Sequence, residues 1–133
     1  MADTFLIAAA VEARSNAYAP YSRFLVGAAV KDDHGTVHAG CNVENAAYPQ
    51  GTCAEAGAIA AMIMGGGRRI TEAAVVGAGD ALVTPCGGCR QKLREFGAVD
   101  LVIHVCDENG RIRRSFTLDE LLPQSFGPEN LST

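Results

Sequence analysis

Cys86 and Cys89, in the run TPCGGCRQ (residues 84–91), stand three positions apart. That spacing sets two sulfurs on one side of a helical turn, where they can grip one metal ion or work as a redox dithiol. A structural zinc site would need a second Cys or His pair, and only one other thiol belongs to a helix start. That thiol is Cys53, in GTCAEAGAIAAM (51–62), two residues before Glu55. Three thiolates leave a tetrahedral zinc one ligand short, and an open position separates catalytic from structural sites. Both helix N-termini would point positive ends at the sulfurs and favour the thiolate form. A water in the open position is acidic enough to give hydroxide near neutral pH, and Glu55 is the base within reach. A blander alternative stays open: Thr52-Cys53-Ala54-Glu55 also fits a capping box, in which Glu55 only starts the helix.

The elements that must position these groups follow from hydrophobic period and turn residues. Residues 4–17 read as a helix with Thr4 as N-cap. Strands at 24–31 and 36–41 flank an Asp33-His34-Gly35 turn, and 42–51, with Pro49 and Gly51, is a loop. A second helix runs from about Cys53 to Met64 and stops at the glycine triplet. A strand at 73–77 and a loop at 79–84 lead to a third helix, 87–96, with Gly97 as its C′ residue. The apolar run 100–106 is a strand covered on both faces. Asn109-Gly110 signals a type I′ turn, returning 111–116 antiparallel before a short helix at 117–122. The order α-β-β-α-β-α-β-β implies an α/β fold, a three-layer α/β/α sandwich around a five-stranded mixed sheet. At 133 residues with no repeat or linker, the chain is expected to form one domain, 1–133.

Composition excludes other classes. Apolar residues are 48% and charged residues 20%, a globular balance. A net charge of −4 offers no electrostatic grip on a phosphate backbone, so no nucleic-acid partner is expected. Strand alternation would spread Arg111, Arg113 and Arg114 over both faces of a solvated edge. The longest apolar run ends in three glycines and is too short to cross a bilayer, and acids flank the N-terminal apolar run, against a secretory leader. Neither membrane nor disulfides are expected, and the location is cytoplasmic. His104, inside an apolar strand, reads as a satisfied core residue; His34 and His38, beside the first turn, read as solvent-exposed. Cys41 and Cys106 read as core thiols.

A Cys-x-Glu followed by Pro-Cys-x-x-Cys is the Cys₃ form of the signature of zinc nucleobase deaminases. Over nearly its full length the chain resembles the short, single-domain, homotetrameric cytidine deaminases, through YSRFLVGAAV (21–30), GCNVENAAYPQGTCAE (40–55), PCGGCRQ (85–91) and ELLPQSF (120–126). The resemblance implies one zinc per chain on Cys53, Cys86 and Cys89. It implies that Glu55 takes a proton from the zinc-bound water and shuttles protons to ring N3 and the departing ammonia while hydroxide attacks C4. Backbone groups at Ala54 and Cys86 would read the base, Phe24 would pack against it, and Asn42 and Glu44 would bind the ribose hydroxyls. Tyr48 and Phe126 would complete a neighbouring subunit's pocket in a homotetramer.

The same residues have plainer readings: Asn42 as a turn residue, Glu44 as a solvated charge, Phe24 as core, and Tyr48 and Phe126 as surface aromatics. Many family members carry arginine directly after the catalytic glutamate; here that position is Ala56. Arg90, beside Cys89, is the expected donor that offsets the thiolate charge. The expected reaction is hydrolysis of cytidine and 2′-deoxycytidine to the uridines and ammonia, as in pyrimidine salvage. Alternatives are a deaminase of another cytosine-bearing small molecule such as blasticidin S, an RNA- or DNA-editing deaminase, which the acidic charge disfavours, a dithiol redox module using Cys86 and Cys89, and a structural zinc protein, which lacks a placeable fourth ligand.

Overall fold

The computed structural model describes residues 2–132, so the two end residues of the expected 1–133 domain lie outside the described residues. Helix α1 spans Thr4–Arg14 and is capped by Asp3 rather than Thr4, the Asp3 carboxylate accepting from the N–H groups of Phe5 (2.9 Å) and Leu6 (3.2 Å). A carboxylate also meets the positive end of the helix, which a threonine hydroxyl does not. The helix stops short of residue 17 because Tyr18 donates its N–H to the Asn42 carbonyl and bridges to Val43.

Strand β1 (Val26–Asp32) and strand β2 (Val37–Cys41) form the expected hairpin. β1 begins at Val26 rather than Phe24 because the Asn42 side chain takes both the Val26 N–H (2.9 Å) and the Phe24 carbonyl (2.8 Å). Buried Asp32 closes the hairpin turn, accepting from the N–H groups of His34 and Thr36, each at 2.9 Å, and pairing with His38 Nε2 at 2.9 Å. His38 is therefore half-buried and tied to a carboxylate, not free in solvent; His34 is exposed as expected.

Helix α2 (Ala54–Met64) ends at Gly65, and strand β3 (Ile70–Gly77) starts earlier than expected because buried Ile70 pairs with Asp32. Helix α3 spans Gly87–Phe96. Gly97 then adopts φ −115°, an extended geometry, not the left-handed one expected of a C′ glycine. A Cβ there would lie 2.6 Å from Leu101 Cδ2, so glycine serves close packing at that point. Strand β4 (Val102–Cys106) and strand β5 (Ile112–Thr117) are joined by a turn that differs from type I′. Only Gly110 has a positive φ (85°), and the Asp107 carboxylate gathers the N–H groups of Asn109 and Arg111. Helix α4 (Leu118–Leu121) starts with a capping box between Thr117 and Glu120.

The sheet order is β2-β1-β3-β4-β5, with β3 and β4 parallel and every other pair antiparallel. α1 packs Leu6, Ile7 and Ala10 on one face against Ala29, Ala74 and Val76. On the other face α2 and α3 pack Ala58, Ile59, Met62 and Leu93 against Val30, Ala73, Val75 and Ile103. Period-2 alternation sends adjacent residues of β3, Ala73 and Ala74, to opposite layers. The α/β/α sandwich and its five-stranded mixed sheet are as expected. β5 is an edge strand; Arg113 bonds the carbonyls of the 79–81 loop and Arg114 stacks 4.5 Å over Phe116. His104 is buried and satisfied, by Ser115 Oγ (2.7 Å) and Glu72 Oε2 (2.6 Å). No helix among the described residues is long and apolar enough to cross a membrane.

Candidate active site

β2 and β3 both run antiparallel to the strand between them, so they point the same way. The helices that follow, α2 and α3, therefore begin at one end of the sheet, on one face, with their N-termini side by side. Cys53 is the N-cap of α2 and Cys86 the N-cap of α3, and neither makes a side-chain capping bond. Thr52, the expected cap of a capping box with Glu55, is one residue too early. Its backbone N–H and carbonyl pair with Val43 in both directions (2.8 and 2.9 Å), keeping it extended and passing the cap position to Cys53. Glu55 is thus free of capping duty.

The sulfurs of Cys53, Cys86 and Cys89 all lie within 4.8 Å of one another, and Cys53 and Cys86 are 3.9 Å apart. Zinc–sulfur bonds of about 2.3 Å at tetrahedral angles put sulfurs about 3.8 Å apart. The trio fits one zinc per chain, with a fourth position left for a water or substrate. Cys89 is buried, whereas Cys53 and Cys86 are exposed, so the centre is reachable from outside.

Electrostatics point the same way. Burial pushes the Cys53 and Cys89 thiols up, and neighbouring sulfurs and Glu55 push Cys89 further. Cys86 goes down, chiefly through the nearby Cys89 backbone N–H at the start of α3. Thiolates this close repel unless a cation sits among them. Glu55 is only 5% exposed, and burial raises its carboxyl above the ordinary value while its own backbone N–H and the Cys89 thiol pull it back. A carboxyl lifted toward neutrality beside a metal centre is suited to taking and returning a proton.

The other expected residues fall into separate groups. Ala54, between Cys53 and Glu55, is buried. Glu44 and Tyr48 line a cavity of about 310 Å³ with Tyr21, Ser22, Asn45 and Gly51. Glu44 accepts from the backbone N–H groups of Tyr21 and Ser22 at 3.0 Å and from the Ser22 hydroxyl, which hold its carboxyl below the ordinary value. Asn42 braces the Phe24–Val26 segment, as described above. Phe24 is 45% exposed and faces the 78–84 loop across a second cavity, so it is not core. Phe126 stands apart, 57% exposed, on the tail beside α3.

Arg90 is not the thiolate donor expected of it. Its Nε donates to the Pro85 carbonyl (2.7 Å), Nη1 to the Leu121 carbonyl (2.8 Å) and Nη2 to Thr84 Oγ1 (3.1 Å). The guanidinium ties the loop before α3 to α4, and these carbonyls hold it there. Sequence reasoning passed over Ser22, whose hydroxyl and N–H hold Glu44.

Residues 1–105 match the family model described as "Cytidine and deoxycytidylate deaminase zinc-binding region". The chain is 41% identical over 127 residues to a cytidine deaminase of Sporosarcina psychrophila, covering 96% of this chain and 93% of that protein. It is 47% identical over 123 residues to a cytidine deaminase of Mycobacterium tuberculosis strain H37Rv, covering 92% and 87% respectively. Its fold superposes on the crystal structure of the cytidine deaminase from Burkholderia pseudomallei with a TM-score of 0.86 at 41% identity, over 95% of this chain and 100% of that one. With three thiols shaped for zinc, a buried glutamate beside them and a family match over most of its length, this chain belongs to the cytidine and deoxycytidylate deaminase family.

Proposed function

We propose that the protein is a zinc-dependent cytidine deaminase, a single-domain enzyme that hydrolyses cytidine and 2′-deoxycytidine to the corresponding uridines with release of ammonia. The observation that carries this is the cluster of three thiols within 4.8 Å, next to the buried carboxyl of Glu55. When bound by Cys53, Cys86 and Cys89, zinc supplies the Lewis acidity that makes water a nucleophile near neutral pH.

The chain's own residues then divide the remaining work. Glu55 accepts one proton from the attacking water and gives it to ring N3, then carries the second, from the hydroxyl newly on C4, to the amine that leaves as ammonia. Its burial raises its affinity for a proton above that of an ordinary carboxylate. Backbone groups at Ala54 and Cys86 hold the edge of the base, and Phe24 packs on its face. Asn42 and Glu44 bind the ribose hydroxyls; the depressed carboxyl of Glu44 keeps it an acceptor for them. Arg90 supports the site from behind, by fixing the loop that delivers Cys86.

Tyr48 and Phe126 are both strongly exposed, as aromatics would be that complete a neighbouring subunit's pocket in a homotetramer. The reading places the enzyme in the cytoplasm, in pyrimidine salvage. A dithiol redox module built on Cys86 and Cys89 would leave unexplained why Cys53 Sγ lies 3.9 Å from Cys86 Sγ.

The test is ammonia release from cytidine by the purified, zinc-loaded protein beside a Glu55→Gln variant. Release should fall by about 10²–10⁴-fold in the variant with zinc still bound. A variant as active as the parent would remove Glu55 from the mechanism. No release from either would move the assignment to another aminated pyrimidine.

A further inference from the structure

α3 does more than present two thiols. Two turns along it, Arg94 is buried, 7% exposed, and its Nε donates to Ser125 Oγ (2.9 Å) while Nη2 pairs with Glu129 Oε1. Between them Gln91 Nε2 donates to the backbone carbonyl of Phe126 (2.8 Å). Gly127 completes the grip: a Cβ at that position would fall 2.4 Å from Arg94 Cζ, so the guanidinium lies directly against bare backbone. The Gly127 N–H is itself taken by Asn130 Oδ1 (2.8 Å), and Gln124 enters the segment with φ 53°, left-handed without being glycine.

Chain ends usually fray unless tied down. Here Ser125, Phe126 and Glu129 are each held by side chains of α3, yet the Phe126 ring in their midst is left 57% exposed. Burying an arginine to fix a segment whose largest apolar group faces water gives the fold itself little return. The arrangement makes sense when the position of the ring is what matters.

We infer that Gln91 and Arg94 are positioning residues for the deamination reaction, fixing Phe126 relative to the helix that bears Cys86 and Cys89. The inference rests on the reading of Phe126 as part of a substrate pocket. It adds that the helix bearing this chain's Cys86 and Cys89 is also the mount of the ring offered to the neighbouring subunit's pocket, so α3 links a metal site to the closure of the pocket next to it.

A double-mutant cycle on the zinc-loaded enzyme tests this. Gln91→Ala and Arg94→Lys are each made alone and together with Phe126→Ala, with KM and kcat for cytidine, zinc content and Tm recorded. Gln91→Ala should raise KM roughly three- to tenfold, the scale of a displaced aromatic contact, with zinc content unchanged. Arg94→Lys, which keeps the charge but loses the fork geometry, should do the same to a smaller extent. In the Phe126→Ala background neither should raise KM further. Persistence of the full KM effect in that background would overturn the inference and leave the pocket reading intact, as would an unchanged KM in Gln91→Ala and Arg94→Lys when Phe126→Ala raises it. An unchanged KM in Phe126→Ala itself would overturn both, while deamination dependent on Glu55 would still stand.

Discussion

Gly40 on β2 sets how closely α2 can lie on the sheet, and with it the place of Cys53 and Glu55. A Cβ at Gly40 would sit 2.4 Å from Ala58 N, 2.6 Å from Ala54 O and 2.7 Å from Gly57 C. All three are backbone atoms of α2, so no rotamer change relieves the clash. The shortest approach is 1 Å below the 3.4 Å at which such contacts become ordinary, and the helix must lift by about that much. Misplacing catalytic groups by about 1 Å costs roughly 10²-fold in turnover, and overpacking of this kind destabilises by about 1–3 kcal/mol. Gly40→Ala is therefore expected to lower kcat/KM for cytidine roughly 100-fold and Tm by roughly 3–10 °C. Gly57 faces Gly40 from the helix and supplies the control. A Cβ there would meet nothing nearer than Gly40 Cα at 3.5 Å, ordinary contact, and alanine is favoured over glycine inside a helix by about 1 kcal/mol. Gly57→Ala should keep activity within about twofold and hold or raise Tm. Steady-state kinetics, zinc content and differential scanning fluorimetry on the two variants decide the matter. Gly40→Ala with near-parental kcat/KM, or Gly57→Ala as damaging as Gly40→Ala, would refute the claim that this contact sets the catalytic helix.

Other outcomes follow from the charged groups. His38 and the backbone N–H groups of Thr36 and His34 hold the Asp32 carboxyl below its ordinary value of 3.8. A carboxyl depressed in the folded state adds stability above the unfolded value and loses it as pH falls below. Asp32→Asn should therefore lower Tm at pH 7, with the gap to the parent closing as pH drops below 3.8. With Cys53 and Cys89 raised in the metal-free protein, zinc binding must expel their protons. Calorimetry in buffers of different ionisation enthalpy should detect proton release on zinc binding at pH 7, and affinity should rise with pH. Alkylation of the metal-free protein followed by mass spectrometry should label exposed Cys53 and Cys86 first and spare Cys106, which is buried and pushed up to about 11. Zinc should protect Cys53 and Cys86, and equal labelling with and without zinc would argue against their ligand role.

Much of this was legible in residue order. Strand and helix periods gave the α/β/α sandwich, because burial on one face or two imposes its own repeat on the chain. Cys53, Glu55, Cys86 and Cys89 were legible because each pair lies within one helical turn, where spacing in sequence is spacing in space. The errors came where two segments compete for one group. Thr52 looked like a cap until Val43 claimed its backbone. Asn109-Gly110 looked like a type I′ turn until the Asp107 carboxylate organised it otherwise. Arg90, adjacent to a metal ligand in sequence, turned to carbonyls on the preceding loop and on α4.

What the chain alone determined is therefore local: which residues can hold a metal, which can move a proton, and which element carries each. That Cys53 lies 3.9 Å from Cys86, across 33 residues of chain, was decided by the parallel directions of β2 and β3, which bring two helix N-termini to one end of the sheet. The close approach permitted by Gly40 and the hold of Arg94 on the tail were decided in the same way, by contacts between segments far apart in sequence. Such contacts depend on the packing of the whole sheet and its two helical layers, and no local spacing encodes them.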